Sequence, residues 1–522
     1  MNFKQVFNEW KWTIVAFFLI LVVGFGIRLY NLTILPIFVD EAIYVRWAQV
    51  MASEPTLRFL PLSDGKQPLF MWVLMFLIKY FQDPLFIGRL VSVSTGIVTM
   101  IGIFVFSYQL FKNKLTSLFA VFLYAVSPFS VFFDRMALVD SMLSMFGIWT
   151  AFFGFLTIKH KRLDLALITG FSLGFASLTK SPALFIALLL PSFWLLRSWP
   201  KNKKEWIYQF LNLSGLLAVT YILAFAMYNI QRLGPNFAQL TSRTGDYILP
   251  ISHIWTNFAD PLIPHLKDFL VWLLALGPAT LIILILLGIF VGLKGYLKQT
   301  LVLLLWILFP VVLQAELGKV FTARYVFFTL PYLFILAGMV FLSMSNTFKK
   351  VILVFTLLFI FQAVKSDILL LTNPEKANLS RGERSGYLEE WTAGQGIKEI
   401  SEYLKVEEAK NPGKQIVIGT EGYFGTLPDG LQLYVNDKPN IIVIGVGVII
   451  EDVPQSLKDA LKAGNKTYLV INKSRFKGKP DEQGLKLIQK YPKGLRLTDS
   501  RQYTLYGPQE ELLFFELLPE SK

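Results

Sequence analysis

The chain has no cysteine. Disulfides and thiolate metal sites are therefore excluded, and the redox compartment is left open. Charged residues are scarce, 16% against 54% hydrophobic and 15% aromatic in 522 residues, and the apolar ones gather in long runs. A polytopic membrane protein with a polar tail is expected. There is no internal repeat and no low-complexity tract. Neither Gly419-Thr-Glu-Gly422 nor Gly445-Val-Gly447 follows a strict phosphate-loop pattern, so a nucleotide site is not expected. The formal net charge of +14 would point to nucleic acid in a soluble chain. Here the excess sits in short loops between apolar runs and reads as topology, with no nucleic-acid partner implied.

What is present is a series of about eleven candidate spans, near 12–30, 86–110, 116–133, 139–158, 163–179, 182–197, 207–228, 268–291, 300–315, 325–343 and 350–366. Lys4 and Lys11 precede the first run and no small-residue cleavage site follows it, so it is read as a retained span. Lys112 and Lys114, then Lys159, Lys161 and Arg162, then Arg197, Lys201, Lys203 and Lys204, then Lys294 and Lys298, then Lys349 and Lys350 all fall on one side. The positive-inside rule makes that side cytoplasmic. The outer side then receives loop 31–85, the turns at 134–140, 179–182 and 316–324, loop 229–267, and everything after 366. Pro68 to Phe81 is short for a bilayer, and counting it as a span would invert every later loop. It is expected flat at the interface, as is an amphipathic helix over 40–52.

Beyond 366, short apolar strands at 415–419, 441–444 and 467–471 alternate with helical stretches near 394–410, 454–463 and 482–490. The expected fold class is an α-helical polytopic membrane protein, residues 1–366, carrying a small extracytoplasmic α/β domain, residues 367–522.

Asp40 and Glu41 follow the first span directly, and Asp40, Tyr44, Trp47 and Met51 share one helix face by spacing. Two carboxylates there could take a proton from a hydroxyl or hold a cation. They equally suit a first helical turn, where the helix dipole favours acids. The same outer face collects Lys66, Arg89, Asp134, Arg135, Asp140, Lys180, Glu316, Lys319 and Arg324. Ionisable groups at span ends are costly and are usually paired or functional. Structural readings stand beside the functional ones. Asp134 and Arg135 could pair with each other or with neighbouring span ends, Asp140 could start a helix, Lys180 could snorkel, and Arg324 could anchor a span.

The order Asp40-Glu41, Gly65-Lys-Gln-Pro-Leu69, Gly88-Arg-Leu90, Arg135-Met-Ala-Leu-Val-Asp-Ser141, Thr179-Lys-Ser-Pro182, and Ala323-Arg-Tyr-Val326 with Leu330-Pro331 resembles the glycosyltransferase-C superfamily. Within it the chain looks most like the branch of protein O-mannosyltransferases and lipid A aminoarabinose transferases. The match runs through about residues 1–366. That resemblance implies a sugar carried on a polyprenyl phosphate, an active site on the outer face of a plasma or inner membrane, and inverting transfer to a hydroxyl of a protein, lipid or cell-envelope glycan. It places the base at Asp40, with Glu41 beside it, and a donor-phosphate contact at Lys66. The family motif often has Glu before the lysine and a second proline after it, where this chain has Gly65 and Gln67. The missing Glu puts a metal site like that of the aminoarabinose branch in doubt.

Transfer from a lipid phosphate needs a base, stabilisation of an oxocarbenium-like centre and cations on the leaving phosphate. Asp40 serves the first two. Lys66 and Arg324 serve the third, with Arg135 or Lys180 as alternatives. Glu41, Asp134, Asp140, Tyr44 and Glu316 are supporting candidates. No cofactor is firmly implied. A divalent metal is a variant that would draw on His253 and His265 with Glu41 or Asp140, although that spacing matches no recognised pattern. A lipid or sugar flippase is the alternative of a different class. It would call for polar, broken helices at the membrane midplane in repeated halves, whereas here the acids sit at outer span ends. A noncatalytic scaffold or receptor is a third.

Overall fold

The computed structural model describes residues 3–343 and 346–519. Helix α1 (Phe3–Leu29) carries the first apolar run, α2 (Val39–Ser53) and α3 (Leu69–Leu77) follow, and α4 (Pro84–Phe111) carries the next run. The run expected as one span at 116–133 is two helices, α5 (Lys114–Val126) and α6 (Pro128–Asp134), bent by 62°. Pro128 supplies the break: it disfavours helical geometry in the residue before it, and Ser127 is extended at φ −76°, ψ 126°. Then come α7 (Val139–His160), α8 (Leu163–Thr179), α9 (Ala183–Leu189, with a 3-10 continuation to Leu196) and α10 (Lys203–Tyr228). The run expected at 268–291 is also divided, into α11 (Leu262–Ala275) and α12 (Ala279–Gly295), bent by 108° around Gly277-Pro278. Helices α13 (Leu297–Leu317), α14 (Leu330–Gly338, between 3-10 turns) and α15 (Asn346–Thr372) complete the series.

Among the described residues, seven helices are long and apolar enough to cross a membrane, or nine if each bent pair counts as one span. The expected spans at 163–179 and 182–197 are apolar helices but shorter, Leu163–Thr179 and Ala183–Leu196.

The chain divides into two compact units. One comprises residues 1–32, 56–73 and 89–380; the other comprises 33–55, 74–88 and 381–522. The second unit is therefore built from the polar tail together with α2. Its later elements are α16 (Ile397–Lys410), β1 (Ile416–Glu421), α17 (Asp429–Tyr434), β2 (Ile441–Gly447), α18 (Gln455–Lys462), β3 (Lys466–Asn472), β4 (Leu485–Leu495) and β5 (Gln509–Leu517). The sheet order is β2-β1-β3-β5-β4. Strand β1 lies parallel to both β2 and β3, and β5 is antiparallel to both β3 and β4. Strand β1 is buried along its whole length, as an unalternating Ile-Val-Ile run requires in a central parallel strand. Val417, Leu457, Leu469, Ile471 and Phe515 form its core cluster, each worth about 1.5–3 kcal/mol of burial.

The stretch 482–490, expected helical, is largely strand β4. Among the described residues its only sheet neighbour is β5, so most of its side chains face solvent and the apolar alternation of an inner strand is missing. Lys486 and Lys490 on it are the charges that protect an exposed edge.

Candidate functional site

Asp40 and Glu41 occupy the first turn of α2, where the amide dipoles favour anions. They are not equivalent. Glu41 is fully buried, and its Oε2 accepts the Phe38 N–H at 3.0 Å, closing the helix start as a capping carboxylate does. Asp40 is half-buried. Tyr44, Trp47 and Met51 of the expected face are all buried. The backbone just before Asp40 is tied to the tail segment of the same unit. Val39 N–H donates to Thr392 O at 3.0 Å, Gly394 N–H donates to Ile37 O at 2.9 Å, and Phe38 sits opposite Ala393 in an antiparallel bridge. Further along α2, Gln49 Nε2 donates to Leu433 O at 3.0 Å and Arg46 donates to Asn436 Oδ1 at 2.6 Å.

In the helical unit three of the sequence motifs meet. Gln67 Nε2 donates to Ser181 Oγ at 2.8 Å, joining the 65–69 stretch to the 179–182 turn. Lys180 Nζ lies 4.4 Å from the centre of the Tyr325 ring, joining that turn to 323–326, and the Arg324 guanidinium is 5.5 Å from the same ring. Lys180 also pairs with Asp140 at 2.5 Å. Lys66 pairs with Asp64 at 3.5 Å, and Asp64 in turn holds Arg243. Lys66, Lys180 and Arg324 are all half-buried. Gln67, which departs from the family proline, is thus the residue that links two motifs. Gly65 is required where it stands: φ is +65°, and a Cβ would lie 3.0 Å from Gln239 O and 3.2 Å from Arg243 Cβ. A glutamate there would carry a strained left-handed backbone and a tight Cβ.

Other candidates have structural work. Arg135 gives its guanidinium to the carbonyls of Ile27, Arg28, Tyr30 and Asn31 at 2.6–3.1 Å, closing the C-terminal end of α1. Asp134 does not pair with Arg135. Its partners are Arg28 at 2.9 Å, Ser141 Oγ at 2.6 Å and Tyr124 Oη at 3.2 Å, with Arg28 and Asp134 both fully buried. Arg28 is the residue that sequence reasoning missed, although a cation one turn inside a span end is itself a signal. Glu316 is buried, with Oε1 3.5 Å from His253 Nδ1. His265 Nδ1 lies 2.8 Å from Ala315 O, and its ring stacks on Phe321. Among the described residues no three His, Asp or Glu side chains gather in a way that could hold a metal ion.

Residues 65–225 match the family described as dolichyl-phosphate-mannose-protein mannosyltransferase. No curated protein matches the chain. Among solved structures, the chain is similar to ArnT from Cupriavidus metallidurans in the apo state, with a TM-score of 0.55 and 14% identity over 98% of each chain. The same protein bound to undecaprenyl phosphate aligns with a TM-score of 0.55 over 98% of this chain and 99% of that one. The archaeal oligosaccharyltransferase AglB from Archaeoglobus fulgidus, in complex with an inhibitory peptide and a dolichol-phosphate, aligns with a TM-score of 0.52 and 10% identity, over 89% of this chain and 70% of its own.

Proposed function

We propose that this chain, whose fold is that of the glycosyltransferase-C superfamily, is an integral membrane glycosyltransferase moving a sugar from a polyprenyl phosphate to an acceptor hydroxyl. The observation that carries the reading is the meeting of the 65–69, 179–182 and 323–326 motifs through Gln67–Ser181 and Lys180–Tyr325. Two half-buried cations, Lys180 and Arg324, thereby share the Tyr325 ring, and Lys66 adjoins the residue that ties its stretch to the 179–182 turn; such cations suit an anion. The phosphate-bearing lipids named with ArnT and AglB are the ligand class these cations fit. The active site and the tail are assigned to the extracytoplasmic side, on the distribution of loop charge.

In the reaction the bond from the anomeric carbon to the phosphate oxygen breaks, and the acceptor oxygen forms its bond from the opposite face, inverting the centre. The acceptor proton passes to Asp40, whose negative charge also favours the developing oxocarbenium ion. The leaving group departs as a polyprenyl phosphate monoester, gaining charge as it goes. Lys66, Lys180 and Arg324 stabilise that gain, and no general acid is needed. Glu41 fixes the start of α2 and takes no proton.

Incubating the purified protein with radiolabelled polyprenyl-phosphate sugars, with protein, lipid and glycan acceptors supplied, tests the reading. Label should leave one donor and appear on one acceptor class, and Asp40→Asn should abolish this while leaving expression unchanged. Release from no donor, or full transfer by the variant, would overturn it.

A further inference from the structure

The unit carrying the sheet buries a lysine. Lys493, near the end of β4, is 2% exposed, an unusual place for an ammonium unless it is matched on every side. Its Nζ donates to Glu390 O at 3.1 Å and to Ala393 O at 2.6 Å. The charges facing it are Glu421 from β1, Glu510 from β5, Glu390, and Arg475. Arg496, three residues on, binds Glu390 through both carboxylate oxygens at 2.7 and 2.9 Å and Glu510 at 2.8 Å. Two cations therefore fix the turn at 390–394 from one side.

The other side of that turn grips the chain leading into α2. Thr392 O and the Gly394 N–H make the two hydrogen bonds that flank Phe38, and the Phe38 ring lies 4.2 Å from Tyr387, centre to centre. The next residue but one is Asp40. An antiparallel bridge fixes register as well as distance, so displacement of the turn displaces the helix start. Carboxylates that act as bases have to be held within a fraction of an ångström of the reacting oxygen.

We propose that Lys493 is a positioning residue for Asp40. By holding the Glu390 and Ala393 carbonyls it fixes the strap 390–394, and the strap sets where α2 begins. The inference rests on the reading of Asp40 as the base. It also gives the tail a role, one in which the α/β domain tunes turnover without touching substrate.

The test uses full-length protein in lipid nanodiscs, undecaprenyl-phosphate [3H]mannose and the other donors of the same panel, and hydrogen exchange of peptides covering 35–42 and 390–396. Lys493→Met removes both donated hydrogen bonds. Gly394→Ala reaches the strap from the opposite side with the charges intact, because its Cβ would lie 2.4 Å from Ile37 Cγ2 and 2.8 Å from Ile37 O. Both variants should speed exchange in these peptides about tenfold. Both should lower kcat by about tenfold or more while leaving donor KM within about twofold, the signature of a misplaced catalytic group and not of lost donor binding. If Lys493→Met does not fold, Gly394→Ala decides alone. Faster exchange with kcat unchanged, or exchange unchanged in both variants, overturns the strap. A wild-type protein inert toward every donor overturns instead the reading of Asp40 on which the strap depends.

Discussion

The helical unit and the unit carrying the sheet each bury a cluster of charges, and the clusters differ in what they grip. In the helical unit Arg28, Asp134 and Arg135 bind one another's helices and the open carbonyls of α1, so the cluster staples span ends. In the other unit Lys493 and Arg496 bind a turn, and the turn binds the start of α2. Burial separates these groups from Asp40, Lys66, Lys180 and Arg324, which are all half-buried. The buried ions hold the frame, and the half-buried ones are those that the proposed function assigns to the substrate.

The comparison is broken most severely at Asp40. Asp40→Asn should cost about 10³-fold in kcat, as loss of a general base does, with an unchanged thermal unfolding midpoint. Asp134→Asn should do the reverse, leaving Arg28 buried without its counter-charge and lowering stability by about 3 kcal/mol or more, read from thermal unfolding in detergent. Lys180→Ala and Arg324→Ala should each raise donor KM by about tenfold or more, the worth of a charge-assisted hydrogen bond. Arg135→Gln, by contrast, should lower stability and leave KM unchanged.

The smallest effect concerns pH. Burial pushes the Lys493 ammonium down to about 8, with Glu421, Glu510 and Glu390 raising it and Arg475 lowering it further. An unfolded lysine keeps its proton to about 10.4, so between these values the folded unit binds fewer protons than the unfolded chain. Stability from this group therefore rises as pH climbs through that window. Protection factors in β4 and β5, exchange rates divided into those of the unstructured peptide at the same pH, should rise over the interval in the wild type and lose that component in Lys493→Met.

Much of this was legible in the sequence. The apolar runs gave the helices, and the Ile-Val-Ile stretches gave the parallel strands. Two of the ordered polar motifs carry the cations Lys180 and Arg324, which lie against the Tyr325 ring. Two breaks were written in Pro128 and Pro278 but lay inside runs whose hydropathy outweighed them. Strand β4 was hidden because an edge strand needs no apolar alternation, and β5 is the partner that holds it extended. The tie between α2 and the tail was beyond sequence reading altogether. Its part at 37–39 and 392–394 is made by backbone groups, which leave no side-chain signature, and its side-chain part pairs Arg46 and Gln49 with Asn436 and Leu433, far along the chain. Arg135 and Glu41 likewise bind backbone groups, the carbonyls that end α1 and the Phe38 amide, and such partners are present at every residue.

The strand order β2-β1-β3 carries a last consequence. In parallel sheets of this kind the usual ligand crevice opens where neighbouring strands send their connections in opposite directions, here between the ends of β1 and β3. That position is filled by Glu421, whose carboxylate accepts the backbone N–H and the side-chain amide of Asn472, both at 2.7 Å, with Arg475 3.2 Å away. One carboxylate therefore acts as a latch across the strand ends, tying β1 to β3 and to the turn after it.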